Sequence, residues 1–328
     1  MIDWIAIFSN AAQELISPTT AAYALAALGL AIHFGYTGLL NFGQAGFMAL
    51  GAYGYAISTL SFGFPVWASV LVGVGASVIF ALILGIPTLR LRADYLAIVT
   101  IAAAEILRLI FTTNTFDALT GSASGLQGYK DGFAALNPIP PGTYGFGPFT
   151  YNAYDWWIRI VGWTLVVVFA VLTWLIMRSP WGRVIKGIRE DEDAVRALGK
   201  NVYSYKMQSL IIGGVLGCLG GFIYALGQAS IQPDIFGTDT TFFAYTVLIL
   251  GGAARVGAPV VGSMIFWVVL SLTDNILNEA IDAGYISSSV INNTQVGQFR
   301  FMLVGVLLML LMIFRPQGIF GEKVSEKA

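Results

Sequence analysis

Long apolar runs recur along the chain, separated by short polar breaks, and they have the length of membrane-crossing helices. A helix needs about 20 mostly apolar residues to cross the ~30 Å hydrocarbon core of a bilayer, because its backbone polar groups find no water there and must bond within the helix. Nine stretches meet or approach that length, at residues 20–39, 43–60, 64–86, 94–111, 156–177, 207–227, 241–254, 257–278 and 298–314. The seventh is short. Residues 2–17 are apolar on one side but carry Asp3, Asn10, Gln13 and Glu14, which predicts an interfacial helix within residues 1–19 rather than a tenth span. The pattern predicts an all-α polytopic transmembrane helix bundle of about nine spans over residues 20–321, followed by a short tail at 322–328.

Composition narrows the function classes. Of 328 residues, 57 % are hydrophobic and 11 % charged, against roughly a quarter charged in ordinary soluble proteins. That balance excludes a soluble globular enzyme. Lys and Arg number 17 against 18 Asp and Glu, a formal charge of -1, so no basic surface exists to hold nucleic acid. The lone Cys218 and lone His33 allow neither an internal disulfide nor a zinc or diiron cluster, and no metal or cofactor is expected. The opening, Met1 to Phe8, has no basic stretch and already carries Asp3, unlike a cleaved signal peptide.

Lys and Arg are retained on the cytoplasmic side of short loops. With residues 178–206 inside, 13 of the 17 basic residues lie inside, and only Arg108, Lys130, Arg159 and Arg300 fall outside or near outer span ends. The expected orientation has an external N-terminus and a cytoplasmic C-terminus. Residues 112–155 and 279–297, rich in Gly, Pro, Ser, Thr and Asn, are then outer loops, and the run from Tyr151 to Trp157 reads as an aromatic belt.

Two segments share one grammar: Gly38-Leu-Leu-Asn-Phe-Gly-Gln-Ala-Gly46 before the second span and Ile235-Phe-Gly-Thr-Asp-Thr-Thr241 before the seventh. Each places Phe-Gly and polar residues at the start of a span, one on the inner side and one on the outer, as an inverted internal repeat would. Gly-interrupted helices related by inversion are a transporter device, and helix N-termini with amides can face a polar solute. Asn41, Gln44, Asp239 and Thr240 are therefore the candidate translocation-path residues. Helix caps and close packing of small residues are the alternative reading of the same segments.

Residues 178–206 are unlike everything else, holding 11 of the 35 charged residues in 29 positions. Pro180 followed by Val184, Ile185, Ile188, Val195 and Leu198 among charges predicts short amphipathic helices ending at Gly199. Such a mixed-sign surface suits a protein groove better than a lipid headgroup layer; a solvated loop held by local ion pairs is the other reading.

The run from Phe34 to Tyr53 resembles the early signature of the membrane subunits of branched-chain amino acid ABC importers, and the run from Pro180 to Gly199 resembles their cytoplasmic loop that docks on the ATPase. Further echoes are Asp94 to Thr100, Thr120 to Gly125, Leu250 to Pro259 and Arg315 to Phe320, so the likeness covers residues 20 to 321. The family often has Ser-Leu-Gly-His where Asn41-Phe-Gly-Gln44 stands, and Thr-Gly-Gly where Thr120-Gly-Ser122 stands. Of the paired permease subunits the chain is similar to the M (LivM) type, with an H (LivH) type as its partner. The resemblance implies a complex of two permeases in the cell membrane, two cytoplasmic ABC ATPases and an external substrate-binding protein, with leucine, isoleucine and valine as cargo. Urea or short amides are the alternative cargo. It implies further that Arg189, Glu190, Asp191 and Glu192, with Ala197, Leu198 and Gly199, form the helix–turn that sits in the ATPase groove, Gly199 supplying a left-handed cap. The chain has no Gly-x-x-x-x-Gly-Lys-Ser/Thr, so ATP is expected to be hydrolysed elsewhere and the chain is not expected to be an enzyme.

Two other classes fit less well. An ion-coupled secondary transporter needs intramembrane ionisable groups, and the spans offer mainly Glu105 and Arg108, spaced to neutralise each other, with Asp274 near an outer end. An intramembrane enzyme needs a nucleophile with a base. His33 has no acid or cysteine nearby in sequence and reads as a polar group packed between helices; Cys218, within Gly213 to Gly221, reads as a small residue at a tight helix interface.

Overall fold

The computed structural model describes residues 3–89, 93–253, 255–283, 293–314 and 318–320. The expected tail at 322–328 and residues 284–292 of the second outer loop lie outside them. In chain order the helices are α1 (Trp4–Glu14), α2 (Pro18–Leu30), α3 (Gln44–Phe62), α4 (Val66–Thr88), α5 (Ala93–Thr112) and α6 (Ala153–Arg178). They continue with α7 (Pro180–Glu190), α8 (Glu192–Ala197), α9 (Val202–Gln228), α10 (Thr238–Gly251), α11 (Ala258–Asp282) and α12 (Asn293–Phe314). The chain is an all-α polytopic membrane protein. Helices occupy all nine expected stretches; five among the described residues are long and apolar enough to cross a bilayer, or six if α1 and α2, bent by 42°, count as one.

Starts are set by local chemistry. Ser17 and Ser179 cap helices whose first residue is proline, Pro18 and Pro180, whose missing N–H is no loss there. Asp191 Oδ1 accepts from Asp193 N and Ala194 N, both at 3.0 Å, and so breaks the α7–α8 hairpin cleanly into two helices. Asn201 and Asn152 cap α9 and α6 in the same way.

Helix α2 is buried on all sides, as an apolar helix without a polar face must be. It packs with α3 and α9 at the centre, while α4, α5 and α6 turn Ile79, Ile98 and Val167 outward to the lipid. The centre is held by small residues. A Cβ on Gly51 of α3 would stand 1.9 Å from the Cys218 carbonyl oxygen of α9, and one on Gly221 of α9 would stand 1.9 Å from the Met48 oxygen of α3. The two helices therefore touch backbone to backbone at a reciprocal glycine pair, the packing that substitutes for a hydrophobic driving force in lipid. Cys218 is a buried thiol in this crossing, as its setting among glycines implies.

On the face opposite α7 and α8, two antiparallel pairs order the long loop: β1 (Leu126–Gln127) with β4 (Ser230–Ile231), and β2 (Thr143–Tyr144) with β3 (Tyr151–Asn152). The phenols of Tyr129 and Tyr154 donate to the Ala225 and Leu226 carbonyls at 2.8 and 2.9 Å, satisfying oxygens that the end of α9 leaves without a helical partner. Burial holds the Lys130 ammonium below the ordinary lysine range, with Nζ 4.9 Å above the Tyr154 ring. Residues 318–320 return to α10, where Ile319 N and Phe320 N donate to the Leu250 and Gly251 oxygens at 2.9 Å each.

Candidate functional site

Helix α2 does not run straight into a loop. It widens into a π turn over Ala31–Thr37, reverses at Gly38 (φ 76°), and crosses in irregular chain to α3. Irregular backbone at membrane depth is tolerated where it is buried in protein or lines a water-filled cavity. Here the partners come from four directions. Leu39 N donates to the His33 oxygen at 2.8 Å, Phe42 N to Thr100 Oγ1 at 3.0 Å, Gly43 N to Asn41 Oδ1 at 2.9 Å, and Ala45 N to Thr241 Oγ1 at 2.9 Å. The Asn41 carbonyl accepts from the Tyr245 hydroxyl at 2.9 Å.

Two of the four predicted path residues, Asn41 and Gln44, are fully buried and share one network. Asn41 Nδ2 donates to His33 Nδ1 at 3.1 Å and to Gln44 Oε1 at 3.3 Å. Gln44 Nε2 donates to the Ala26 and Gly213 oxygens at 3.1 and 3.3 Å. With Nδ1 accepting, the imidazole is the neutral tautomer whose Nε2 donates to the Leu210 oxygen at 3.1 Å. In this conformation the Asn41 amide closes the backbone of the break through Gly43 N, and the Gln44 amide ties it to α2 and α9.

The other two stand at the start of α10, whose 14 residues span about 21 Å, less than a bilayer core. Thr240 is buried, its Oγ1 donating to the Ile235 oxygen at 2.6 Å and accepting from Tyr23 Oη at 3.5 Å. Asp239 is exposed in the first turn. The starts of α3 and α10 thus meet through the bond between Ala45 N and Thr241. Beside that meeting point lies an aromatic group: Phe42 stands 4.8 Å from Tyr245 and 6.0 Å from Phe242, which is 47 % exposed. Thr241, Tyr245, Phe42 and Phe242 are absent from the polar residues picked out by sequence. The signal for them is the Phe-Gly pair and the aromatic spacing inside α10, read as wall rather than as anchor.

Arg108 on α5 chelates Glu105 through Nε at 3.0 and 3.1 Å, and also bonds Asp234 before α10. The spacing of Glu105 and Arg108 foretold the pair; Asp234 joins from the far end of the chain.

The charged loop forms an α7–α8 hairpin. Ile185, Ile188 and Val195 are buried against the bundle, while Glu190, Asp191, Ala197, Leu198 and Gly199 face outward. Leu198 is 79 % exposed, an unusual place for a leucine. Glu192 binds Arg196 within the hairpin and Lys206 of α9, and Arg196 also binds Asp193 at 2.8 Å, so these acids and bases neutralise one another locally. Gly199 has φ 75°, the left-handed conformation. Two of the predicted docking set also turn toward the bundle, Arg189 Nη1 donating to the Gly35 carbonyl and Glu192 accepting from Lys206 of α9.

A helix bundle broken at two facing helix starts, with a charged hairpin on one face, has the build of a membrane permease. A profile described as the permease component of branched-chain amino acid transport systems matches residues 15–314, and the chain belongs to that family. The high-affinity branched-chain amino acid transport system permease protein LivM of Salmonella typhimurium is 29% identical over 314 residues, 93% of this chain and 69% of the relative. The probable branched-chain amino acid transport permease protein LivM of Methanocaldococcus jannaschii is 27% identical, covering 92% of this chain and 91% of its own. The guanosine ABC transporter permease protein NupQ of Bacillus subtilis is 28% identical, covering 77% and 80%. No solved structure matches the chain. The chain is a multi-pass permease component of an ABC importer and not an enzyme; ATPase subunits and a binding protein are its partners in kind.

Proposed function

We propose that this permease, paired with a second subunit of LivH type, forms the path by which branched-chain amino acids, delivered by an external binding protein, enter the cell. The observation that carries the cargo is the aromatic group of Phe42, Phe242 and Tyr245 at the two helix starts, with Asp239 three residues before Phe242 on α10. Apolar rings suit an aliphatic side chain, and backbone dipoles at helix starts suit a zwitterion with no net charge. Such a wall binds weakly, which passage requires, and selection lies mainly with the binding protein. The LivM relatives support this cargo. Rings also stack on bases, and the guanosine permease makes a nucleoside the second reading. Cells lacking this chain should lose leucine, isoleucine and valine uptake; unchanged leucine uptake with lost guanosine or urea uptake would transfer the assignment.

In this reading the N-terminus is external, residues 1–19 carry an interfacial helix, residues 20–321 form the permease domain with the α7–α8 hairpin cytoplasmic, and residues 322–328 form a cytoplasmic tail. The segments opening at Asn41 and Asp239 are related by inversion. Arg189 to Glu192 and Ala197 to Gly199 seat an ATPase, a role supported by their outward placement on apolar anchors. Asn41, Gln44, Asp239 and Thr240 flank the path. Cys218 is the chain's one cysteine and is buried, so single-cysteine variants can be made directly. In the reconstituted complex, Asp239→Cys should react with a water-soluble thiol reagent, and Asn41→Cys, Gln44→Cys and Thr240→Cys should gain reactivity as nucleotide state changes. Protection of all four in every state would refute an aqueous path there.

A further inference from the structure

One contact of the hairpin points inward, away from any docking partner. Helix α7 lies on the π turn by its apolar side, Ile185 and Ile188 sharing a buried cluster with Leu28, Ile32 and Tyr36. Above that cluster the Arg189 guanidinium donates to the Gly35 carbonyl. Gly35 lies in the last turn of the π segment, where carbonyls lack helical partners and the negative end of the helix dipole favours a cation. The reversal at Gly38 rests on the same side chain: a Cβ there would lie 3.4 Å from Arg189 Cγ. One arginine therefore holds both the end of the π turn and the bend that follows it.

The π turn is gripped on its other sides by the elements that carry the broken spans. Thr37 Oγ1 lies 2.6 Å from Ser209 Oγ, and His33 bonds the Leu210 oxygen, both on α9. A Cβ on Gly35 would stand 2.0 Å from the Ala253 oxygen in the linker after α10. Three residues beyond Gly38, Asn41 closes its network with His33 and takes the Tyr245 bond from α10. A cavity of about 300 Å³ bordered by Gly38, Leu39, Ile188, Arg189, Glu192 and Lys206 leaves room for this junction to shift. A π turn bonds residue i to i+5 where the α-helix around it bonds i to i+4, and such turns are rare and frequent at functional sites.

We propose that Arg189 is a positioning residue that ties the hairpin to the π turn, so that displacement of α7 is delivered through Gly35 and Gly38 to the break at Asn41. The inference rests on the reading that residues 178–206 seat an ATPase, and it gives Arg189 an inward task separate from docking. A guanidinium reaches the carbonyl while its stem supports Gly38; a glutamine is too short and uncharged, and a lysine keeps the charge with a single donor point.

The test uses the complete importer, both permeases with ATPases and binding protein, in proteoliposomes, reading retained ATPase subunits and labelled leucine moved per ATP hydrolysed. In Arg189→Gln complexes that hold their ATPases, leucine moved per ATP hydrolysed should fall by about tenfold or more, within the range of ordinary coupling energies. Arg189→Lys should recover part of that loss. Leu198→Asp, at the outward tip, should lose the ATPases instead. A wild-type ratio in those Arg189→Gln complexes overturns the inference. Should Arg189→Gln fail to assemble, Arg189→Lys decides: a ratio a few-fold below wild type supports the tie, and an unchanged ratio overturns it. Absence of ATPase from the wild-type preparation removes the inference together with the reading beneath it, whereas the other failures remove the inference alone.

Discussion

Replacing Gly51 by leucine is expected to leave almost no folded protein. A Cβ at that position would lie 1.9 Å from the Cys218 oxygen, and the reciprocal contact of Gly221 with Met48 fixes the same two helices from the other side. Carbon and oxygen approach no closer than about 3.3 Å without a hydrogen bond, so α3 and α9 would have to part by more than 1 Å along the crossing, roughly the shift that overpacking converts into 1–3 kcal/mol or more. No alternative is available to either helix. Both are held on their far sides, α9 against α2, where a Cβ on Gly220 would meet the Ala22 oxygen at 2.6 Å, and α3 against α4, where one on Gly54 would meet the Gly73 Cα at 2.7 Å. Size-exclusion profile and thermal unfolding in detergent read the effect for Gly51→Leu and Gly221→Val. Gly75→Ala in α4, where a Cβ meets nothing within 4 Å, is the control. It should match wild type or gain about 0.5–1 kcal/mol from helix propensity. A monodisperse Gly51→Leu with wild-type melting would show that the crossing is not tight.

The spans were legible because the bilayer dictates the length of an apolar run, and the hairpin because no bilayer accepts so many charges. The break before α3 was legible as a place, through Gly38, Asn41, Phe42 and Gly43, and illegible as a structure. Its hydrogen bonds come from Thr100, Thr241 and Tyr245, up to 204 residues away, and no local pattern announces such partners. The π turn was illegible for a related reason: Ala31–Thr37 has an ordinary helical composition, and the extra residue per turn is imposed by α7, α9 and the α10–α11 linker closing around it. Sequence reasoning also favoured polar groups as path residues. In this structure the Asn41 and Gln44 amides are engaged within the protein, while Phe242 is exposed with half-buried Phe42 beside it. Arg108 shows the same limit on a small scale, its near partner readable from spacing and Asp234 readable only from the fold.

Asn41→Leu is expected to be the most damaging substitution among the buried polar groups. Leucine matches the volume and removes three services at once: the acceptor for Gly43 N, the donor to His33 Nδ1 and the donor to Gln44 Oε1. Each group left buried without a partner costs roughly 1–3 kcal/mol, and at this depth no water replaces the amide. Gln44→Leu makes the contrast. The Ala26 and Gly213 oxygens it abandons belong to residues inside α2 and α9, where the helix ladder already occupies each carbonyl, and a second empty lone pair is far less costly than an orphaned N–H. Thermal unfolding should therefore rank Asn41→Leu well below Gln44→Leu, with transport following the same order. Asn41→Asp should also fall well below Gln44→Leu, because Oδ1 still caps Gly43 but the site must bury a charge or take up a proton, and at least one donated bond is lost. A double cycle of Asn41→Leu with His33→Leu should show coupling of about 1 kcal/mol or more, since removing both partners leaves fewer orphans than removing either. Wild-type stability in Asn41→Leu, or a worse outcome for Gln44→Leu, would mean that the backbone of the break is closed by something other than Asn41.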